Sequence, residues 1–394
     1  MPLTQTEIVI VGGGVTGNSI AYHLARQGHR VLVIERADIA SEPAASWASA
    51  GGVRRQGRHP AEAQLASEAI QRWHTLSEEL EADLHYRQGG QLWLAESDSE
   101  AEEVAAYVQQ QQNMGFSDVR LVQRAEVLQL APGLNAQVIA GSYSPSDGQA
   151  SPPHTTRAFA LAAQRHGAIY QTNTAALALI THAGRVAGVR TAQGDIEAQQ
   201  TILAAGAWSD ELALTAGLRL PVRTVALQML LSTPAQPNLL QPVIGAVNRK
   251  LSLKQLVDGS FFIGGGWPGN VSPDRRSYTM RPASIQGNWS TACELLPALA
   301  QQRIARSWCG LEAQSIDDIP FIGSAPGLDG LTLALGFSGH GFALAPAVGR
   351  AVADLINGQT TIELDGLNPA RIARFNSEQV ERFINTSDEN EGDV

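Results

Sequence analysis

Four β-branched residues near the N-terminus, Ile8-Val9-Ile10-Val11, run straight into three glycines. Such a run bounded by glycine predicts a short strand buried on both faces, as in a parallel sheet. Residues 18–27 then carry apolar side chains at helical spacing and stop at Gly28, where a residue free to adopt positive φ ends a helix. A second apolar run, 30–34, ends in Glu35. Farther along, the pattern predicts an amphipathic helix over 62–80 and another over 155–166. A β-meander is expected over 172–180 and 185–191, turning at Ala183-Gly184. A buried strand over 201–205 enters small residues as far as Ser209, and short strands fill 222–267. A last helix runs to Ile356, stopped by Asn357-Gly358.

The glycines between the first strand and helix give this pattern a chemistry. Gly12-Gly13-Gly14-Val15-Thr16-Gly17 fits G-x-G-x-x-G. Gly12 permits the tight turn, Gly14 lets backbone approach a pyrophosphate, and Gly17 lets helix pack on strand. The phosphates then meet the positive helix N-terminus. Glu35, closing the second strand, is placed to accept from ribose hydroxyls and would repel the extra phosphate of NADP. This establishes a candidate dinucleotide site and leaves FAD and NAD open.

Composition narrows the class. A chain of 394 residues suggests two or three units. With 28 Lys and Arg against 38 Asp and Glu, the formal charge is −10 and no basic block is present. That is a poor nucleic-acid binder. Cys293 and Cys309 lie far apart, which fits reduced thiols rather than a disulfide or metal framework. No metal site is expected. The N-terminus lacks a basic leader and no apolar stretch is long enough for a transmembrane helix, so a cytoplasmic location is expected.

Two further loops stand out. Residues 44–52 are almost all small, which suits backbone passing close to a cofactor. The segment 53–59 after them concentrates positive charge. Gly336-Phe337-Ser338-Gly339-His340-Gly341-Phe342 precedes the last helix.

Taken together, these pieces resemble the D-amino-acid oxidase superfamily of flavoproteins. The likeness rests on Gly12 to Gly17 with Glu35, the Ala45-Ser46 loop, Leu203 to Ser209, Phe261 to Gly266, Trp308 to Gly323 and Gly336 to Phe342. Within it, Ser49 to Arg55 and Trp308 to Glu312 are most similar to the branch of opine oxidase β subunits and D-hydroxyproline dehydrogenases. The resemblance implies an extended, non-covalent FAD. Gly12, Gly14, Val15, Thr16 and Gly17 would hold its phosphates, and Glu35 and Arg36 its adenosine ribose. Ser46, Ala50 and Gly51 would lie along the pyrophosphate and flavin. Ala176, Gly206 and Trp208 would line the adenine channel. Gly310, Gly336, Ser338, Gly339, His340, Gly341 and Phe342 would surround the flavin ring. Backbone amides there stabilise negative charge on reduced flavin, and His340 could add a donor.

The implied reaction moves an amine's α-hydrogen to flavin N5 and leaves an imine. Some relatives hold the substrate carboxylate with an arginine in Gly-Leu-Arg-Pro, where this chain has Gly310-Leu311-Glu312-Ala313. Glu312 could accept from a substrate amine or hydroxyl, or pair with an arginine. Arg54 and Arg55 become the candidate carboxylate ligands, with Lys250, Lys254 and Gln255 behind them. Cys309 is one residue from Gly310, the position that aligns with the covalent flavin cysteine of monomeric sarcosine oxidases. Residues 259–267 lack the lysine that monomeric sarcosine oxidases place near N5, which favours a dehydrogenase using a quinone, another flavoprotein or, less readily, O2. His154 aligns near a histidine that holds a second flavin, FMN, in heterotetrameric sarcosine oxidase, but lacks the arginine beside it and reads rather as a capping or core residue.

The expected fold is α/β: a Rossmann-type FAD-binding domain (1–86, 141–221, 305–394) intertwined with an α+β substrate domain (87–140, 222–304) built on a mostly antiparallel sheet. The expected function is oxidation of a secondary amine or D-amino acid such as D-hydroxyproline, proline, sarcosine or an opine. The alternatives are a flavin subunit of a multi-subunit complex with partner subunits, an NAD-binding sensor, or a thiazole-forming glycine oxidase. The acidic tail 387–394 is expected to be disordered.

Overall fold

The computed structural model describes residues 3–386, so the tail 387–394 lies outside the described residues. Gln5–Val11 is the central strand of the first sheet. It pairs in parallel with Val31–Ile34 on one side and Gly194–Leu203 on the other. Ile8 and Ile10 enter one apolar cluster while Val9 and Val11 enter another. Both faces are therefore covered, which is why the run is uninterrupted. Leu331–Leu335 extends the sheet in parallel, and Ile169–Gln171 pairs with Val31–Ile34 at the opposite edge. The meander Ala176–His182 and Arg185–Thr191 joins through Gly194–Leu203.

The first helix runs Val15–Arg26, capped by Gly14. It starts three residues before the expected point because the turn glycines lead directly into it. A Cβ on Gly17 would sit 2.0 Å from the carbonyl oxygen of Gly12, so the helix can start so early only with glycine there. The expected 62–80 helix is instead broken into Ala63–Trp73 and Leu76–Glu79. Trp73 is wholly buried and its indole donates to the carbonyl of Ala343 at 2.9 Å, which anchors the first piece under the last long helix, Gly341–Ile356.

The second sheet has eight strands, in the order 304–315, 222–232, 261–264, 249–255, 243–246, 91–95, 140–144 and 120–123. Every pairing is antiparallel except Val243–Ala246 on Gln91–Ala95. Its apolar cluster takes in Ala292 and Leu295 of the helix Pro282–Leu295. Two of its strands, Ala140–Ser144 and Ile304–Ser315, fall almost wholly beyond the expected boundaries at 141 and 305. Patterning marks a strand there but cannot say which sheet it joins. No helix among the described residues is long and apolar enough to cross a membrane.

Candidate cofactor and substrate site

A cavity of about 620 Å³ extends from the first glycine turn to the 336–342 loop, with the second sheet as its far wall. At the nucleotide end, Gly12, Gly14, Val15 and Thr16 line it. Gly12 has φ of 110°, and a Cβ there would meet the carbonyl oxygen of Ala204 at 2.3 Å. Ser46, on the one-turn helix Ala45–Ala48, accepts from the Val15 amide at 2.9 Å. Glu35 accepts from the amides of Gly13 at 2.7 Å and Ala37 at 3.0 Å. Burial raises its pKa, and these two amides oppose the rise. The Arg36 guanidinium lies 3.7 Å over the Trp208 ring, and its buried Nη1 has no partner among the described residues. Ala50, Ala176 and Gly206 also line this channel.

At the other end, Gly310, Gly336, Ser338, Gly339, Gly341 and Phe342 line the cavity. The amide of Gly339 donates to the Glu312 carboxylate at 2.5 Å. Burial pushes Glu312 up to about 7, against that hydrogen bond. Glu312 therefore changes charge near neutral pH.

The geometry suits an elongated dinucleotide: a glycine cradle that any Cβ would fill, a carboxylate at the second strand and an amide-lined loop at the far end. The sequence profile of the family described as FAD dependent oxidoreductase matches residues 7–355. The chain belongs to that family. It is 30% identical over 364 residues to the glycine oxidase of Geobacillus kaustophilus, spanning 90% of this chain and 94% of that one. The solved L-proline dehydrogenase from P. horikoshii superposes with a TM-score of 0.88 at 29% identity, covering 95% of this chain and 99% of that one. The solved Geobacillus glycine oxidase gives 0.82 at 27%, covering 93% and 99%. The protein is an FAD-dependent amine or amino-acid oxidoreductase, and its fold is the Rossmann-type α/β arrangement with an antiparallel second sheet.

Within this flavoenzyme the expected site residues separate by where they point. Arg54 lines the cavity, and no hydrogen bond or ion pair holds its guanidinium among the described residues. Arg55 does not line it. Its guanidinium pairs with Asp118, reaches Ser146 Oγ at 3.2 Å and covers the Phe116 ring at 4.7 Å. The two neighbours follow the short strand Gly52–Val53, and their side chains go to different surroundings. Gln255 is also excluded. It is 2% exposed and spends its amide on Leu239, Leu240, Gln236 and Gly259. Lys254 is buried over the Phe262 ring and outside the lining.

His340 turns its ring away from the cavity, donating through Nδ1 to Glu62 Oε1 at 3.1 Å. Burial and nearby Arg58 pull its pKa to about 4, so it is the neutral partner. Burial is the largest single influence on the wholly buried Glu62 and would raise it; the hydrogen bond and charge of His340, the Arg58 charge and the His59 amide together outweigh this and hold it below the usual range. Two of the expected glycines are structural instead. Neither lines the cavity: a Cβ on Gly17 would run into the Gly12 carbonyl, and one on Gly51, at φ 72°, would lie 2.1 Å from the Ala150 carbonyl oxygen. His154 is exposed, bonded to Ser151 Oγ at 2.7 Å, with its ring tilted against that of His85 at 4.4 Å, and it does not line the cavity. Cys309 is buried outside the lining, with its thiol pushed up to about 12 by burial. Among the described residues no cluster could hold a metal ion.

Several lining residues escaped the sequence reading: Gln91, Trp93, Met229, Ser252 and Arg276. The first four sit on strands whose alternation shows one face to a neighbour without saying that the neighbour is a cofactor.

Proposed function

We propose that the chain is a dehydrogenase of a secondary amine or D-amino acid, of the class of D-hydroxyproline, proline, sarcosine or an opine. The reading is carried by Arg54 and Glu312 converging on one cavity beside the 336–342 amides. An amino acid requires a cation for its carboxylate and an acceptor for its amine, and these two side chains offer both.

Bound FAD supplies the hydride acceptor. Arg54 binds the carboxylate through two N–H groups and so fixes the orientation of the α-carbon. Glu312 in its ionised form accepts from the substrate ammonium and takes its proton, leaving the neutral amine from which hydride departs. Trp93, Leu227, Met229 and Leu251 give an apolar wall that excludes water from the reacting bond. The names of the glycine oxidase and L-proline dehydrogenase relatives support an amino-acid substrate. The absence of lysine from residues 259–267 supports an acceptor other than dioxygen.

The test is anaerobic bleaching of the bound flavin across a panel of D-, L- and N-substituted amino acids. A flavin-replete protein that none of them bleaches would sink the reading. Peroxide formed under air in step with substrate loss would convert the dehydrogenase into an oxidase. Turnover by the isolated chain with an artificial acceptor separates a self-sufficient enzyme from a flavin subunit.

A further inference from the structure

One element at the cavity belongs to none of the family's glycine loops. The hairpin 270–279 pairs Asn270–Val271 with Tyr278–Thr279, between the strand Phe261–Gly264 and the helix Pro282–Leu295. It reaches from the second sheet to the nucleotide end of the first. Its tip is organised internally: Ser272 Oγ donates to Asp274 Oδ1 at 2.6 Å, the same oxygen accepts from the Arg276 amide at 3.0 Å, and the Ser272 amide donates to the Ser277 carbonyl at 3.0 Å.

Three contacts fasten this tip to the cavity wall. The Trp208 indole donates to the Arg275 carbonyl at 2.7 Å. The Arg275 guanidinium pairs with Asp210 at 2.7 Å and, more loosely, Glu211 at 3.8 Å. The Tyr278 hydroxyl donates to Glu42. Trp208, Glu211 and Glu42 all line the cavity. Arg275 holds φ of 52°, which a long side chain adopts only where surrounding contacts enforce it. Here that conformation lets one residue offer its carbonyl to Trp208 and its side chain to Asp210.

The next residue, Arg276, stands exposed at the rim and lines the cavity. It is near enough to Arg36 for each charge to act on the other. Both residues line this end of the cavity; Glu35, Glu211 and Asp274 offset part of the repulsion between them, and an anion bound there would offset more. Nη1 of Arg36 is buried without a partner, which leaves a donor for that anion.

We propose that the hairpin 270–279 is a latch over the adenosine diphosphate half of the cofactor, with Arg276 as a cofactor-binding residue. The proposal rests on the family's FAD and adds a residue and a motion: the fastened hairpin encloses the nucleotide, and unfastening it lets the cofactor leave.

Apoprotein is titrated with FAD and, separately, with ADP, which carries only the half in question. Release of FAD from holoprotein is followed by recovery of flavin fluorescence. Arg276→Ala should weaken FAD and ADP alike by about tenfold or more, the worth of a charge-assisted hydrogen bond, and Arg276→Lys should recover part of the loss. Asp210→Asn and Tyr278→Phe should speed FAD release severalfold while the visible spectrum of bound flavin stays the same. The melting temperature of each apoprotein controls for misfolding. Unchanged FAD and ADP affinity in a folded, yellow Arg276→Ala protein overturns the latch and leaves the cofactor reading intact. Loss of FAD affinity without loss of ADP affinity overturns it too, because Arg276 would then act on the flavin half. A wild-type chain that takes up no FAD would defeat the cofactor reading itself.

Discussion

Gly349 of the last long helix faces Ser19 of the first so closely that a Cβ would lie 2.1 Å from Ser19 Oγ and 2.6 Å from its carbonyl carbon. The helix that begins at the first glycine turn and the one that begins at the 336–342 loop are thus in backbone contact. Gly349→Ala forces them apart, and overpacking of this kind costs about 1–3 kcal/mol. The expected result is a melting temperature lower by a few degrees and weaker FAD binding, read by thermal unfolding and flavin absorbance. An unchanged melting temperature would mean that the crossing is looser than the contact distances say.

Arg54→Ala should leave the flavin spectrum intact while lowering kcat/KM for the amino-acid substrate by about ten- to a hundredfold, the worth of a hydrogen bond to a charged group. Most of the loss should fall in KM. Arg54→Lys should recover little, because a point charge does not reproduce the two-pronged geometry. Arg55→Ala should act instead on thermal stability, through the contacts to Asp118 and Phe116.

Glu312 should set a pH dependence of its own. Its folded carboxyl titrates near 7 against an ordinary 4.5. The folded state therefore binds more protons than the unfolded one across that interval, and its contribution to stability falls as pH rises from about 4.5 to 7. Substrate oxidation should move the other way and rise through pH 7 as the carboxylate forms. Glu312→Gln should flatten both trends, measured by thermal unfolding and by the pH profile of kcat/KM.

The His340–Glu62 pair gives the opposite slope. The folded imidazole titrates near 4 rather than 6.5, so its contribution is present above 6.5 and is lost as pH falls through 4. His340→Gln should remove that acidic limb. Glu62→Leu should cost about 3–5 kcal/mol, since it strips a carboxylate from a buried charge cluster that includes Arg58. Guanidinium unfolding followed by tryptophan fluorescence measures both.

The nucleotide end was legible in the sequence because its demands fall on single positions. Only glycine tolerates φ of 110° at Gly12 or the contact at Gly17, and only an acid suits the end of the second strand. At the 336–342 end of the cavity the lining was only partly legible. Arg54 and Arg55 read alike as letters, and only the paired acid Asp118, far off in the chain, separates them. His340 sits in the right loop, yet its ring follows Glu62, a partner no local pattern reveals. Arg276 left no signal, since a charged hairpin tip ordinarily means solvent.

The strand Ile304–Ser315 belongs to the second sheet, yet its end is tied to the 336–342 loop: the Ser315 amide donates to Ser338 Oγ at 3.0 Å, and Glu312 accepts from Gly339. The floor and the roof of the substrate slot are thereby welded at one corner. Widening the slot at that corner for a bulkier amine would break both hydrogen bonds. Exchanging a few wall residues such as Trp93 or Met229 should therefore be the shortest route from one substrate to another.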